Sequence, residues 1–418
     1  MSRSRAECAR QLSLLGERVS QDGERGWLVE AEQRFDDGSH DAVVVLFVCE
    51  RQQDVACRYA LLAVSDGLDR AASLIAGRVY AVVTYDEPYF DGLVDRLAET
   101  AGVAGLRIDN IAPNPDFTML SASCALLTDV SDNPEVIVAI GGGSVLDAAK
   151  VLAVGGNGFD AVREHLESNG AQQFLPARAI PLIAVPTTAG TGSEVTSWAT
   201  VWDTEAKTKY SLARDDLYPT DAVVDPGLMH AMPRELTIST GLDALSHALE
   251  SLWNVNANPI STNFAVAAAR EVLQCLGLLA KDLGDSSLRS HMARAATMAG
   301  LAFSNTRTAL AHSLSYPITL NYGVPHGIAC SFTLPGVMRS SIGASAACDD
   351  ALRRIFGNDL EAGVQHLADF LTELGVAADY GGLGIRDDEW RSWVDDAIDG
   401  ERGRNFIGPR ERVREVFF

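Results

Sequence analysis

Glu135–Lys150, EVIVAIGGGSVLDAAK, is the stretch whose reading decides the fold. Glu135 to Ile140 is a short apolar run of strand length. Its lack of polar alternation predicts a strand buried on both faces, as in a parallel sheet. Gly141-Gly142-Gly143-Ser144 follows directly and opens the helix VLDAAKVLAV. A strand, a glycine turn and a helix N-terminus make an anion site, because glycine lets backbone approach a phosphate and the first helical N–H groups point at it. The same turn also serves as a plain strand-to-helix connection. The order is not GxGxxG, and no Lys-Ser/Thr pair follows the glycines, so neither the standard dinucleotide fingerprint nor a Walker loop is present.

Working outward, strands and helices alternate. Val79 to Thr84 (VYAVVT) reads as a buried strand, FDGLVDRLAETAG as a helix, and Gly105 to Ile111 as a second strand stopped by Pro113-Asn114-Pro115. Ala179 to Val185 is a further strand ending at Pro186. A second loop, Pro186-Thr187-Thr188-Ala189-Gly190-Thr191-Gly192-Ser193-Glu194, follows it, dense in hydroxyls and glycine. Two such loops at the carboxyl ends of strands fit ligand binding by an open α/β sheet. The βαβα rhythm predicts a doubly wound parallel sheet. After about Pro233 helical periodicity takes over, through AVAAAREVLQCLGLLAKDL and RSHMARAATMAGLAF. We therefore expect an α/β dinucleotide-binding domain over 56–235 and an all-α metal-binding domain over 236–418. Residues 1–55 form an N-terminal extension of unassigned role, with one apolar run, Val43 to Val48, read as an edge strand or an oligomer contact.

The 418 residues suit two or three domains, and 47% hydrophobic content supplies buried cores. The formal net charge of −22 argues against nucleic acid or an anionic membrane as partner. Seven scattered cysteines, odd in number and without a CxxC pair, make a disulfide framework or a zinc ribbon a poor reading and a cytoplasmic location the expectation. MSRSRAECAR leads into polar sequence rather than an apolar signal core.

The second cluster of chemistry is Asp243 and His247 in GLDALSHALES, with His312 and His326 in AHSLSYPITLNYGVPHG. Asp243 and His247 are i and i+4, so they share one helix face, apart from the apolar stripe of Leu242, Leu245, Leu249 and Leu252. One carboxylate and three imidazoles suit a divalent transition metal such as Fe²⁺ or Zn²⁺. His40, His165, His230, His291 and His366 receive no role.

These segments resemble the iron-containing (group III) alcohol dehydrogenase family. The matching pieces are PNP at 113–115, GGGSVLDAAK at 141–150, PTTAGTGSEVT at 186–196, DP at 225–226, GLDALSHALE at 241–250 and the AH…PHG pair at 311–327. The resemblance implies an N-terminal dinucleotide domain, a C-terminal helical domain and a metal in the cleft held by Asp243, His247, His312 and His326. It implies cofactor contacts from Gly142, Gly143, Ser144 and Asp147, from Thr187, Thr188 and Thr191, and from Lys209 at the ribose. Two departures stand out. Many relatives carry a second histidine, thought to aid proton transfer, where this chain has Tyr316. Relatives preferring NAD often have Asp after the first strand's VT, where this chain has Tyr85 followed by Asp86 and Glu87; acidity there disfavours a 2′-phosphate, which favours NAD(H).

SLWNVNANPIS (251–261) and AGLAFSNTRTALAHSLSYPIT (299–319) further resemble the branch of that family associated with phosphonate metabolism. This implies reduction of phosphonoacetaldehyde to 2-hydroxyethylphosphonate, and a phosphonate needs local cations, for which Arg307 is the first candidate and Arg404 the second. The expected protein is a metal-dependent, NAD(P)H-linked reductase of a small aldehyde. Tyr316 and Arg307 are its catalytic candidates, Fe²⁺ (or Zn²⁺ or another divalent ion) its metal, and a homo-oligomer its expected assembly. The alternatives are a general short-chain alcohol dehydrogenase or aldehyde reductase, and a dehydroquinate-synthase-like cyclase or lyase.

Overall fold

The computed structural model describes the backbone of four N-terminal strands and residues 66–418, apart from 131, 169–174, 177, 207 and 378. The strands are Ser20–Gln21 (β1), Gly26–Arg34 (β2), His40–Cys49 (β3) and Val55–Leu62 (β4). The chain divides into two compact units. One comprises residues 1–187 and 193–228; the other comprises 188–192 and 229–418. The division falls after Leu228 rather than at 235, and it assigns part of the second glycine loop to the helical unit.

In the first unit the quoted stretch becomes Val136–Gly141 (β7) and Gly143–Val154 (α4), after α1 (Gly67–Ile75), α2 (Pro88–Ala101) and α3 (Phe117–Thr128). All six residues of β7 are buried. β7 pairs in parallel with Tyr80–Val83 (β5) on one side and Leu182–Pro186 (β8) on the other, with Val136 opposite Tyr80 and Gly141 opposite Pro186. Leu106–Ile108 (β6) extends the sheet beyond β5. Asp221–Val224 (β11) joins β8 to β4, again in parallel. The order is β1-β2-β3-β4-β11-β8-β7-β5-β6.

The winding reverses beside β5, because β6 lies to one side of it and β7, β8 and β11 to the other. Ligands of open α/β sheets bind at the carboxyl ends of strands at such a reversal. Alternate residues face opposite layers. Ala81, Val83, Ile137 and Ala139 pack with Leu120, Leu146 and Val162, whereas Tyr80, Val82, Val136, Val138 and Ile140 pack with Leu68, Ile75, Leu93 and Leu97. Each fully buried aliphatic of this kind contributes about 1.5–3 kcal/mol relative to exposure.

The sheet differs from the expectation at its N-terminal end. β1 to β4 pair antiparallel, so Val43–Val48 lies in an inner strand flanked by β2 and β4 rather than at an edge. Gly105–Ile111 is longer than the strand, Leu106–Ile108: beyond Ile108 the parallel pairing with β5 gives way to an isolated antiparallel bridge between Asn110 and Tyr85. A hairpin, Trp198–Asp203 (β9) and Thr208–Ala213 (β10), also went unforeseen. Residues 1–19 lie outside those described.

The second unit is helical. Arg234–Leu252 (α6, following α5, Phe159–Glu167) is buried along every residue from Gly241 to Leu252. It packs against Pro259–Leu279 (α7), which Asn258 and Ser261 start with a capping box, and Ser286–Thr306 (α8), capped by Asp285. Leu310–Tyr322 (α9) and the short His326–Ser331 (α10) follow, then Leu334–Ser341 (α11) and four more helices. No helix among the described residues is long and apolar enough to cross a membrane.

Candidate metal and dinucleotide sites

Helix α6 brings Asp243 and His247 to one face, and the first turns of α9 and α10 supply His312 and His326. The Nε2 atoms of His247, His312 and His326 lie 3.8, 3.5 and 3.8 Å from Asp243 Oδ1. Donors sharing one ion tetrahedrally at bond lengths of roughly 2.1 Å sit ~3.4 Å apart. Asp243, His247 and His312 are buried, and Asp243 Oδ1 and His312 Nε2 have no hydrogen-bond partner among the described residues. Buried polar atoms aimed at one another without partners are costly, and a shared cation would satisfy them. The His326 side chain is 38% exposed, so the group opens to solvent on that side.

The group's orientation is built in. Glu250, one helical turn beyond His247, is fully buried and holds His312 Nδ1 at 2.6 Å. It also accepts from the backbone N–H groups of Ala309 (2.9 Å) and Ala311 (2.6 Å), capping the start of α9. This fixes the His312 tautomer and leaves Nε2 facing Asp243. The His247 ring is held flat against Phe303, centroids 4.0 Å apart. Gly327 sets the approach of α10 to α6: a Cβ there would lie 1.8 Å from the Ser239 carbonyl oxygen.

The electrostatics follow from burial and pairing. Burial pushes the Asp243 carboxyl up, but His247, His312 and His326 together hold it well below the usual carboxylate range. Burial lowers His247 to about 4, which keeps its imidazole neutral. His312 is raised well above its ordinary value; burial opposes the charged ring, and Cys330, Glu250 and Asp243 outweigh it. Glu250 is lowered, because His312 and the two backbone N–H groups outweigh burial.

The glycine loop occupies the carboxyl end of β7. Gly142 is the N-cap of α4, with Gly143 and Ser144 in its first turn. Gly141 leaves no room for a side chain, since a Cβ would meet Val145 at 2.5 Å. Ser144 Oγ accepts from Asn114 N (3.2 Å), which seats the PNP segment beside the loop, and Asn114 itself has a left-handed φ of 60°. Asp86 and Glu87 are exposed just past β5, at the winding reversal. Thr187 N donates to the Gly141 carbonyl at 3.0 Å.

Other expected residues have different surroundings. Both Asp147 oxygens are engaged within the unit, by Ser193 Oγ (2.7 Å) and Thr200 N (2.8 Å). Lys150, fully buried, donates to Ser193, Thr196 and the Trp198 carbonyl, and burial lowers its ammonium to about 8. Lys209 stands over Trp202, 5.5 Å from the ring centroid. Thr188 and Thr191 are half-buried in the segment that belongs to the helical unit. The glycines there serve packing: a Cβ on Gly190 would strike Thr240 at 2.6 Å, and one on Gly192 would strike Gly300 at 2.5 Å.

Tyr316 lies beside the metal-type group, its ring parallel to that of His326 at 6.1 Å. Arg307 does not join it. Arg307 is exposed, ends α8 with φ 64°, and pairs with exposed Glu401 at 3.7 Å. Arg404 is exposed and donates to the Asp399 carbonyl. Arg402 instead reaches Tyr316: its guanidinium carbon sits 5.0 Å from the Tyr316 ring centroid, and Nε donates to Thr308 Oγ1 at 2.9 Å. Sequence reasoning missed Glu250, Arg402 and Cys330. Helical spacing, three residues after His247 and four after His326, is the signal that could have found the first and last.

Comparison with known proteins bears on the family and the fold. A family model described as iron-containing alcohol dehydrogenase matches residues 65–226, and one described as Fe-containing alcohol dehydrogenase family, C-terminal, matches 237–416. The chain is 33% identical over 325 residues to long-chain-alcohol dehydrogenase 1 of Geobacillus thermodenitrificans, covering 74% of this chain and 80% of the relative. It is 37% identical over 209 residues to phosphonoacetaldehyde reductase of Streptomyces viridochromogenes, covering 49% of this chain and 53% of that protein. The crystal structure of sulfoacetaldehyde reductase from Bifidobacterium kashiwanohense in complex with NAD⁺ superposes with a TM-score of 0.78 at 27% identity, over 86% of this chain and 95% of that one. Two family models end to end, a relative matched over most of its length and a shared fold leave one conclusion: this chain belongs to the iron-containing alcohol dehydrogenase family and is an oxidoreductase of that type.

Proposed function

We propose that the chain reduces a small aldehyde bearing an anionic group, phosphonoacetaldehyde foremost, to the primary alcohol with NADH. The observation that carries this reading is Arg402, a half-buried guanidinium over the ring of Tyr316, which in turn lies parallel to the His326 ring, in a protein of net charge −22. Two of the similar proteins are named for two-carbon aldehydes with a phosphono or sulfo group, which supports the same choice. Membership of an oxidoreductase family sets aside the cyclase and lyase alternative.

Asp243, His247, His312 and His326 would hold a divalent metal, and Gly142, Gly143 and Ser144 the dinucleotide diphosphate at the start of α4. When bound, the metal supplies polarisation of a carbonyl oxygen and the reduced nicotinamide supplies hydride. The chain's own residues do the rest. Glu250 fixes the His312 ring, Phe303 fixes His247, and Gly327 brings His326 within reach of Asp243. Tyr316 holds the proton that the product oxygen needs, in place of the histidine found in many relatives. Arg402 orients the substrate through its anionic end with charge-assisted hydrogen bonds. Asp86 and Glu87 repel a 2′-phosphate, which favours NADH over NADPH.

The test is steady-state kinetics with phosphonoacetaldehyde, sulfoacetaldehyde and a neutral aldehyde of similar size. A charge-assisted bond contributes about 1.5–3 kcal/mol, so kcat/KM should favour the phosphonate by roughly 10- to 150-fold. That advantage should collapse in Arg402→Ala. Equal efficiency for all three would leave a general aldehyde reductase and overturn the anionic substrate.

A further inference from the structure

We propose that Cys330 is a fifth donor to the metal, giving this site a sulfur ligand beside its carboxylate and imidazoles. The inference rests on the metal reading above and goes beyond it.

Cys330 is one turn after His326 on α10 and is fully buried. Its Sγ lies 3.6 Å from His326 Nε2, the same nitrogen that faces Asp243. A thiolate at roughly 2.3 Å and an imidazole at roughly 2.1 Å in neighbouring positions on one metal, about 90–110° apart, lie ~3.1–3.6 Å from each other. Asp243, His312, His326 and Cys330 each offer one donor atom, and these four atoms all lie within 4.8 Å of one another. His247 reaches this set through Asp243, 3.8 Å away. The buried, unpartnered Asp243 Oδ1 and His312 Nε2 belong to the same set, so the thiol does not stand alone.

The placement is a consequence of packing as well as helix spacing. Gly327 lets α10 press against α6, with Ser239 O where a Cβ would otherwise stand. That contact turns the His326 and Cys330 side of the short helix toward Asp243. On coordination the S–H bond breaks, the proton leaves to solvent, and the sulfur lone pair goes to the metal. A soft thiolate in the set shifts preference toward thiophilic ions such as Zn²⁺ and away from Mg²⁺ or Mn²⁺.

Cobalt(II) reads this out without turnover. The full-length protein is stripped with chelator, refilled with one equivalent of Co²⁺, and its absorption recorded. Wild type should show a near-ultraviolet sulfur-to-cobalt charge-transfer band. Cys330→Ala and Cys330→Ser should still take up Co²⁺ but lose that band, with circular dichroism and NADH binding unchanged as the folding control. Co²⁺ uptake by wild type without the band, or a band that persists in Cys330→Ala, would overturn the sulfur ligand while leaving the carboxylate–imidazole site standing. A wild-type protein that takes up no Co²⁺ would overturn both.

Discussion

At the residue scale, Glu250 is the position on which the geometry of the metal-type group most depends. It serves His312 Nδ1 and the backbone N–H groups of Ala309, Ala311 and His312 at once, from a fully buried site. Glu250→Gln keeps the shape but removes the charge and turns one acceptor into a donor. The ring it holds then loses its fixed tautomer. Partners of this kind contribute about 10- to 100-fold to metal affinity, and that is the loss expected for Glu250→Gln in a chelator competition titration. Unchanged affinity would mean His312 is oriented by something else. Arg307 gives a second prediction. Its φ of 64° with ψ 174° is a region that suits glycine, and such strain costs of order 1–3 kcal/mol. Its side chain points to surface Glu401. Arg307→Gly should melt no lower than wild type and leave KM for an anionic aldehyde within about twofold; a KM rise of tenfold or more would return Arg307 to the substrate site. Residue chemistry was partly legible in the sequence. Asp243, His247, His312 and His326 stood out because metal ligands are rare residue types at telling spacings. Arg402 did not, because its relevance comes from the loop before α15 (Arg410–Phe417) returning to α9, a long-range contact that no local spacing encodes.

At the element scale, the packing of α10 on α6 sets the site's dimensions. A six-residue helix has little stability of its own. It is positioned by the backbone approach at Gly327. Gly327→Ala puts a methyl 1.8 Å from the Ser239 oxygen, so one helix must move. Overpacking of this sort typically costs about 1–3 kcal/mol. We expect a lowered melting temperature and, more diagnostic, substoichiometric metal after refilling; full metal occupancy in Gly327→Ala would show that α10 can shift without opening the donor set. The elements themselves were unevenly readable. Val136–Gly141 was plain because a strand buried on both faces is a continuous apolar run. Asp221–Val224 is only four residues long, too short for any period. The Trp198–Ala213 hairpin pairs only with itself, as a separate two-stranded sheet outside the βαβα rhythm, and received no assignment from the sequence. The antiparallel β1–β4 addition is a run of local hairpins, Arg34 opposite His40 and Cys49 opposite Val55, of which only Val43–Val48 stood out as an apolar run; its attachment to the parallel sheet, β4 to β11, is a long-range pairing that leaves no local mark.

At the scale of the whole molecule, each unit has its own core and its own part of the chemistry. The sheet unit carries the glycine loop at the winding reversal. The helical unit carries the donor group and Arg402. With 56 acidic against 34 basic side chains, an anionic substrate needs a cation held where the reaction occurs, which is why a single arginine is expected to control selectivity. The central claim, though, is that the carboxylate and imidazoles of the helical unit hold a metal without which hydride transfer stops. The direct measurement is aldehyde-dependent NADH oxidation by chelator-stripped protein, alongside NADH binding by the same sample. The account predicts that binding survives, turnover falls to background, and one equivalent of Fe²⁺ or Zn²⁺ per chain restores it. Undiminished turnover in metal-free buffer would contradict it.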